Sequence, residues 1–485
     1  MHYLNIFIVG WIREMTRKII LSYITYVLIG SVLIFAIPRN VSPEYAEKSN
    51  YENYYSDEVG ADRAIILDNP LESGLARLFI IENAKETLDV SYFSIERGET
   101  PNIFLGALFD AADRGVQVNI LLDGIFHGLR GARRSTIYAI SNHPNMHLKF
   151  YEKFNPLLPW TINNRMHDKY IVADNKISII GGRNIGDKYF APEWYKKSIT
   201  NDRDVVIINF SEDNEISAVD EMSSYFNEIW NHKYSQDVNL WTRSIFRKKA
   251  EDSANSMREK ANKARELYKE QFKNVPDLYN ISLPTNKVTF INNPIERFSK
   301  EPWCWYELVQ LCKGGEDSTF IQSPYIIPSK KMTKDLINKE ELENMNITFL
   351  TNSLASTPNL PAFSGYQNYR KKMVDNKINI LETQSSNSIH SKAFVIDNDI
   401  VAIGSFNLDA RSAFLSTESM VVIHSEEVVE EFGRNISNYT DESLLVNEDY
   451  KYVENVKVEE KEVNLIKIIL VKILAIPLRF VEYLL

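Results

Sequence analysis

The chain has 485 residues, of which 44% are apolar and 25% charged. That is enough for two ordinary domains or one large duplicated one, and it excludes extensive disorder. Its 65 acidic and 55 basic residues leave a net charge of −10, which argues against a surface built to neutralise a nucleic-acid backbone, so no nucleic-acid partner is expected.

Residues 1–40 read as a membrane anchor. The run Ile19–Ile37 carries no charge over 19 residues, just enough helix to cross a bilayer core. Arg13, Arg17 and Lys18 precede it, and Pro38 closes it. The rival readings are a buried soluble helix, against which the lack of amphipathicity speaks, and a cleaved signal peptide, for which the run is long and lacks a small-x-small site. The leading basic cluster predicts a single-pass cell-membrane protein with its N-terminus inside and its catalytic part on the extracytoplasmic face.

Residues 41–60 are polar, carry tyrosines without periodicity, and read as a linker. From 61 to 212 short apolar runs alternate with helical stretches. LDVSYFSI (88–95) and VQVNILLD (116–123) suit buried strands, and GALFDAADRG between them suits an amphipathic helix closed by Gly115. Residues 213–286 read as a helical connector, with helices at 215–232 and 241–272 and a solvated charged face. The strand–helix pattern restarts and fills 287–445. Cys304 and Cys312 fall there on one predicted helix; two cysteines build neither a disulfide framework nor a zinc site and read as core residues. Residues 446–485 form a tail ending in NLIKIILVKILAIPLRFVEYLL. Lys467, Lys472, Arg479 and Pro477 make it unsuited to spanning a bilayer, so it reads as an amphipathic helix at the membrane interface, against packing on the protein's own surface.

The second half repeats the first. STFIQSPYIIP (318–328) matches LDVSYFSI, NITFLTNS (346–353) matches VQVNILLD, and INILETQ (378–384) matches MHLKFYEKF. Above all, HDKYIVADNKISIIGGRNIGD (167–187) matches HSKAFVIDNDIVAIGSFNLDA (390–410). The expected fold is therefore duplicated α/β: two α/β/α sandwich halves with mixed β-sheets, related by a pseudo-twofold axis, with the site at their junction.

Each half carries His-x-Lys-x4-Asp, namely His167, Lys169 and Asp174, then His390, Lys392 and Asp397. A small turn follows with Gly182 and Asn184 in one half, Ser405 and Asn407 in the other. Each histidine and its lysine are expected on one strand, two residues apart and facing the same way. Two lysines and two asparagines can neutralise and orient the oxygens of a phosphodiester. One neutral imidazole attacks phosphorus; the other protonates the leaving alkoxide and later deprotonates the incoming alcohol or water. The scheme requires no metal and no other cofactor. Asp174 and Asp397 read as residues that hold the turn. His127, His143, His147, His232 and His424 lack such partners and read as non-catalytic.

These residues resemble the paired HKD motifs of the phospholipase D superfamily, and the stretches NNRMHDKYIVADNKISIIGGRNIGDKYF and SIHSKAFVIDNDIVAIGSFNLDARSAFLSTE resemble its bacterial cardiolipin synthase branch. The resemblance runs from about Leu67 to Val422, departing from the branch at Ala410, where proline is usual. It implies a carboxylate after each Asn turn that orients a catalytic histidine: Glu418 in the second half, and in the first Asp202, with Asp204 a nearby rival. It favours His167 as nucleophile and His390 as acid/base, although the halves are nearly equivalent by sequence. Arg165, Arg183 and Asp187 stand where the branch has pocket residues. The implied function is a phosphatidyltransferase of cardiolipin synthase type acting through a phosphatidyl-histidine, with a phosphatidylglycerol-like lipid as substrate and the bilayer as partner. The alternatives are a hydrolytic phospholipase D, which the same residues would serve, a nuclease of the superfamily, or an inactive membrane scaffold. Acceptor and oligomeric state are not written in the sequence.

Overall fold

The computed structural model describes residues 2–211, 216–238, 246–274, 278–334 and 339–485. It is built on two mixed sheets of nine and eight strands. The first runs Ser235–Asp237, Met146–Tyr151, Gln117–Asp123, Thr87–Tyr92, Lys169–Ala173, Ile177–Gly181, Asp204–Asn209, Asp62–Leu67, Leu283–Pro284. The second runs, from its opposite edge, Ser443–Leu445, Asn379–Thr383, Ile347–Asn352, Thr319–Gln322, Ala393–Ile396, Ile400–Gly404, Ser419–His424, Lys287–Asn292. Every strand of the second has a counterpart in the first with the same neighbours and directions, parallel between the segments joined by helices and antiparallel elsewhere. Helical crossovers explain the parallel pairs, since parallel neighbours need long connections.

The halves share a core. Ile66, Val172, Ile180, Val205 and Ile207 of the first sheet cluster with Phe290, Val395, Val401, Ile403 and Val421 of the second. Strands buried on both faces explain why both repeats read as continuous apolar runs rather than alternating ones.

Residues between the halves do not stand apart. The helix Ala218–Asn231 buries Met222, Tyr225, Phe226 and Ile229 in the shared core, and Ser235–Asp237 and Leu283–Pro284 extend the first sheet at its two edges. The charged helix spans Arg247–Leu267, while 241–245 lie outside the described residues. It is not solvated all round. Ala250, Ala254, Met257, Ala261 and Ala264 form a buried stripe against the helix Glu99–Asp113, and a Cβ at Gly106 would lie 2.2 Å from the Met257 carbonyl oxygen, so the helices approach only because Gly106 has none.

The stretch 41–60 is likewise docked, because its tyrosines have rings to bury. Tyr45 stacks on Trp303 at 4.6 Å, Tyr54 is buried, and the Ser42 and Ser49 hydroxyls donate to Glu301 and Glu307. Thus the polypeptide crosses the second half before it builds the first. The N-terminal helix His2–Ser31 continues through a short turn to Phe35, and Ile8–Phe35 is long and apolar enough to cross a membrane. Cys304 and Cys312 are buried free thiols.

Candidate active site

Two short parallel ladders cross between the halves. Arg165–Met166 pairs with Ser416–Thr417, and Thr200–Asn201 pairs with Ser388–Ile389. Each ladder brings the residue before a carboxylate beside the residue before a histidine. The His167 amide donates to the Thr417 carbonyl at 3.2 Å, and the His390 amide to the Asn201 carbonyl at 2.7 Å.

Histidine and lysine therefore do not share one continuous strand, as expected from spacing. Residues 165–166 belong to the inter-half ladder and 169–173 to the first sheet, so His167 sits at the break between them. The chain must serve two ladders, and the histidine occupies the corner. The Lys169 ammonium folds back to the His167 carbonyl, and Lys392 does the same to that of His390.

Each imidazole is held by the carboxylate of the opposite half. His167 Nδ1 lies 3.0 Å from both Glu418 oxygens, and His390 Nδ1 lies 2.6 Å from Asp202 Oδ2. Asp204 is committed elsewhere: it is buried and accepts from Arg77 at 2.9 Å, Arg183 at 2.8 Å and the Ser73 hydroxyl. Ser405 donates to Glu418 at 2.5 Å, whereas a Cβ at Gly182, its counterpart, would come 2.2 Å from Asp202 Oδ1. The shorter aspartate reaches its histidine only where the turn residue has no side chain.

Charge states follow from burial. Burial, reinforced by the Lys169 and Lys392 charges, holds His167 well below the usual histidine range; burial and Lys392 pull His390 down to about 3. Both rings are neutral, so each contact is a hydrogen bond from Nδ1–H to a carboxylate rather than an ion pair, which makes Nε2 the unprotonated nitrogen of each ring; at His390 the Lys392 ammonium lies 3.3 Å from it. Burial pushes the Glu418 carboxyl up to about 7. Burial acts the same way on Asp202, but Lys392 and His390 outweigh it and hold that carboxyl well below the usual range. Lys169 and Lys392 are pulled down by burial to about 7 and about 8. That Lys392 acts on His167, and Lys169 on His390, places both motifs in one electrostatic neighbourhood.

Both asparagine side chains are buried, with Asn184 Oδ1 and Asn407 Oδ1 unpartnered among the described residues. Asp174 and Asp397 each accept from three backbone amides, of Lys85, Glu86 and Thr87, and of Glu316, Asp317 and Ser318. Three further candidates are hydrogen-bonded to other groups of the first half. Arg183 is tied to Asp204 and to the Leu67, Asp68 and Tyr189 carbonyls; Arg165 to Asp123 and the Glu152 and Thr161 carbonyls; Asp187 caps the helix Glu99–Asp113 through the Glu99 and Thr100 amides.

Several neighbours carried no sequence signal. Phe93 packs edge-on to His167 at 5.1 Å and Tyr189 to His390 at 5.6 Å. Thr417 donates its hydroxyl to the buried Asp168 across the seam. Its place just before Glu418 was the one clue.

Residues 78–230 and 308–440 match the family described as the cardiolipin synthase, phospholipase D-like domain. The chain belongs to this family. It is an enzyme of the phospholipase D type. Cardiolipin synthase C of Escherichia coli K12 is 26% identical over 433 residues, covering 75% of this chain and 82% of that relative. An uncharacterized protein of Helicobacter pylori 26695 is 26% identical over 428 residues, covering 81% and 82%. Phosphatidylserine synthase of Haemophilus influenzae Rd KW20 superposes with a TM-score of 0.60 at 14% identity, covering 87% of this chain and 95% of that one; at that identity the likeness shows the shared fold.

Proposed function

We propose that this member of the cardiolipin synthase, phospholipase D-like family is a membrane-anchored phosphatidyltransferase of cardiolipin synthase type, acting on a phosphatidylglycerol-like donor. The observation that carries the reading is the pair of neutral imidazoles, each hydrogen-bonded through Nδ1 to the opposite half's carboxylate, with two lysines beside them.

In the proposed reaction His167 Nε2 attacks the donor phosphorus, the bond to the departing glycerol oxygen breaks, and a phosphatidyl-histidine forms. His390 supplies the proton to the leaving oxygen. In the free protein that ring is neutral; the arriving phosphodiester anion and the ionised Asp202 provide the negative charge that lets it hold a proton. A hydroxyl on a second lipid then gives its proton back to His390 and attacks phosphorus, releasing His167. Lys169, Lys392, Asn184 and Asn407 hold the phosphoryl oxygens as charge develops. The difference between the two carboxyls supports the assignment, because an imidazolium is best sustained beside the carboxylate that stays ionised. The basic residues Arg13, Arg17 and Lys18 ahead of the apolar run support a catalytic part on the extracytoplasmic face, with a membrane lipid as donor.

Labelled phosphatidylglycerol is expected to leave its phosphatidyl group on the wild-type protein and none on His167→Ala. With a phosphatidyl nitrophenol, whose leaving group needs no acid, His390→Ala still becomes labelled and retains the label. Labelling of His167→Ala but not His390→Ala would reverse the assignment. Supplying phosphatidylglycerol, glycerol and water as competing acceptors reads out transfer against hydrolysis.

A further inference from the structure

The segment Phe154–Ile162, FNPLLPWTI, contains no charge, yet it lies on the surface with Phe154, Leu157, Leu158 and Ile162 exposed, Leu157 to 71%. A monomer in water has no use for such a loop. It is fastened to the N-terminal apolar helix: the Tyr23 hydroxyl donates to the Pro156 carbonyl at 2.9 Å, Tyr26 to that of Leu157 at 2.6 Å, and the Asn163 amide to that of Ser31 at 2.5 Å. Tyr23 to Ser31 is about 12 Å of helix, so the loop runs beside the last stretch of the apolar run rather than beyond it. If that helix crosses a bilayer, the loop lies at the depth of one leaflet.

The C-terminal helix Leu465–Leu478 supplies a second such surface. One face, with Val471, packs on the helix Leu360–Asp375; Lys467 is turned back to the Thr357 carbonyl. The other face exposes Ile466, Ile469, Leu470, Ile473 and Ile476, followed by Phe480, at helical spacing, Ile473 to 59% and Phe480 to 78%. Lys472 is exposed on its flank, as in a helix lying among headgroups, while Arg479 at its end donates to Asn368 Oδ1 at 2.8 Å.

Both surfaces meet at the site. Arg411, whose charge acts on His167, donates to the Leu484 carbonyl of the chain end and to Asn163 Oδ1, and Asn163 is the residue bound to Ser31 of the anchor. One side chain therefore joins the anchor, the loop and the C-terminal segment, and Asn163 lies four residues before the first catalytic histidine.

We propose that Phe154–Ile162 and the outer face of Leu465–Phe480 form, with the end of the anchor, a single surface that inserts into one leaflet, so that the mouth of the site opens onto lipid headgroups. The occupant is the bilayer, because the loop continues the surface of the helix that spans it. The inference rests on the membrane-anchor reading above. It gives lipid substrates a route to the phosphate site without leaving the membrane.

Because Cys304 and Cys312 are buried, an introduced exposed cysteine can be labelled selectively in the full chain. A fluorophore placed by Leu157→Cys, Ile473→Cys, Ile20→Cys (anchor) or Arg247→Cys (outer helix layer) is read in phosphatidylglycerol vesicles carrying nitroxide lipids. The proposal expects loss of fluorescence at 20, 157 and 473 and none at 247. Quenching at 20 with none at 157 and 473 overturns the proposal and leaves the anchor standing. Quenching at none of them overturns the anchor reading as well. In a second arm, Leu157→Glu/Ile473→Glu should lose about tenfold or more of its turnover of vesicular substrate, since two large apolar side chains leave the leaflet. On a short-chain phosphatidylglycerol dissolved as monomers it should keep wild-type turnover. Equal loss on both substrates would mean that these residues serve the fold, and would overturn the proposal.

Discussion

Glu418 and His167 belong to opposite halves of the molecule, yet the carboxylate takes the imidazole Nδ1–H at 3.0 Å, as Asp202 takes that of His390 in the reverse direction. Neither half holds a complete site. The repeat is therefore more than a doubling of one device: each half orients the other's histidine, and the inter-half ladders of Ser416–Thr417 and Ser388–Ile389 set the register in which this can happen.

Glu418→Gln and Asp202→Asn should each lower kcat by about 10²–10⁴-fold, because the histidine loses the charged partner that fixes its tautomer and orientation. Initial rates on phosphatidylglycerol vesicles, with circular dichroism to verify folding, check this. Unchanged kcat in both variants would rule out the crossed pairing as a functional contact.

The dependence of kcat/KM on pH should be a narrow bell. As pH falls through about 7, Glu418 is protonated and loses the negative charge that orients His167. As pH rises through about 7 and about 8, Lys169 and then Lys392 lose the charge that binds phosphate. Both histidines are already neutral over this range and do not supply the acid limb; Glu418, which touches His167, is expected to, and Glu418→Gln should remove it. Persistence of that limb in the variant would assign it to another group.

Gly182→Ala puts a methyl 2.2 Å from Asp202 Oδ1 and must push that carboxylate off His390. A displacement of about 1 Å at such a contact is expected to cost roughly 10²-fold in kcat. Gly433→Ala, where nothing lies within 4 Å, is the control and should leave kcat unchanged. Steady-state kinetics on the two purified variants decide it.

Asp204→Asn should act on stability instead. Its carboxylate neutralises Arg77 and Arg183 in a fully buried cluster, and losing it leaves two buried cations with one acceptor fewer, about 3–5 kcal/mol of destabilisation. Denaturant unfolding measures the loss, and the activity of the molecules that remain folded should stay close to wild type. A stable but inactive variant would move Asp204 into the chemistry.

What could be read from the chain follows from what is local. His167, Lys169 and Asn184 recur as His390, Lys392 and Asn407 at fixed spacing inside matching strands, because a strand and its following turn hold side chains at set intervals. The apolar stretch Ile19–Ile37 shows itself by composition. The buried stripe Ala250, Ala254, Met257, Ala261 and Ala264 was also present in the spacing, but alanines among many charges give a weak apolar signal, so the helix looked solvated. The tyrosines of 41–60 had no periodicity to betray that they dock on Trp303 and its neighbours.

Only the tertiary structure decided which carboxylate serves which histidine. Asp202 and Asp204 lie on one stretch of chain and both reach buried positions; one finds His390 and the other finds Arg77 and Arg183, a choice set by which sheet and which half each side chain meets. It likewise tied Arg165 to Asp123, Arg183 to Asp204 and Asp187 to the Glu99–Asp113 helix, and brought Arg411, Asn163, Ser31 and residues 484–485 together. Spacing along a strand is written in sequence because covalent geometry sets it; contacts between segments hundreds of residues apart are set by packing, and no local pattern carries them.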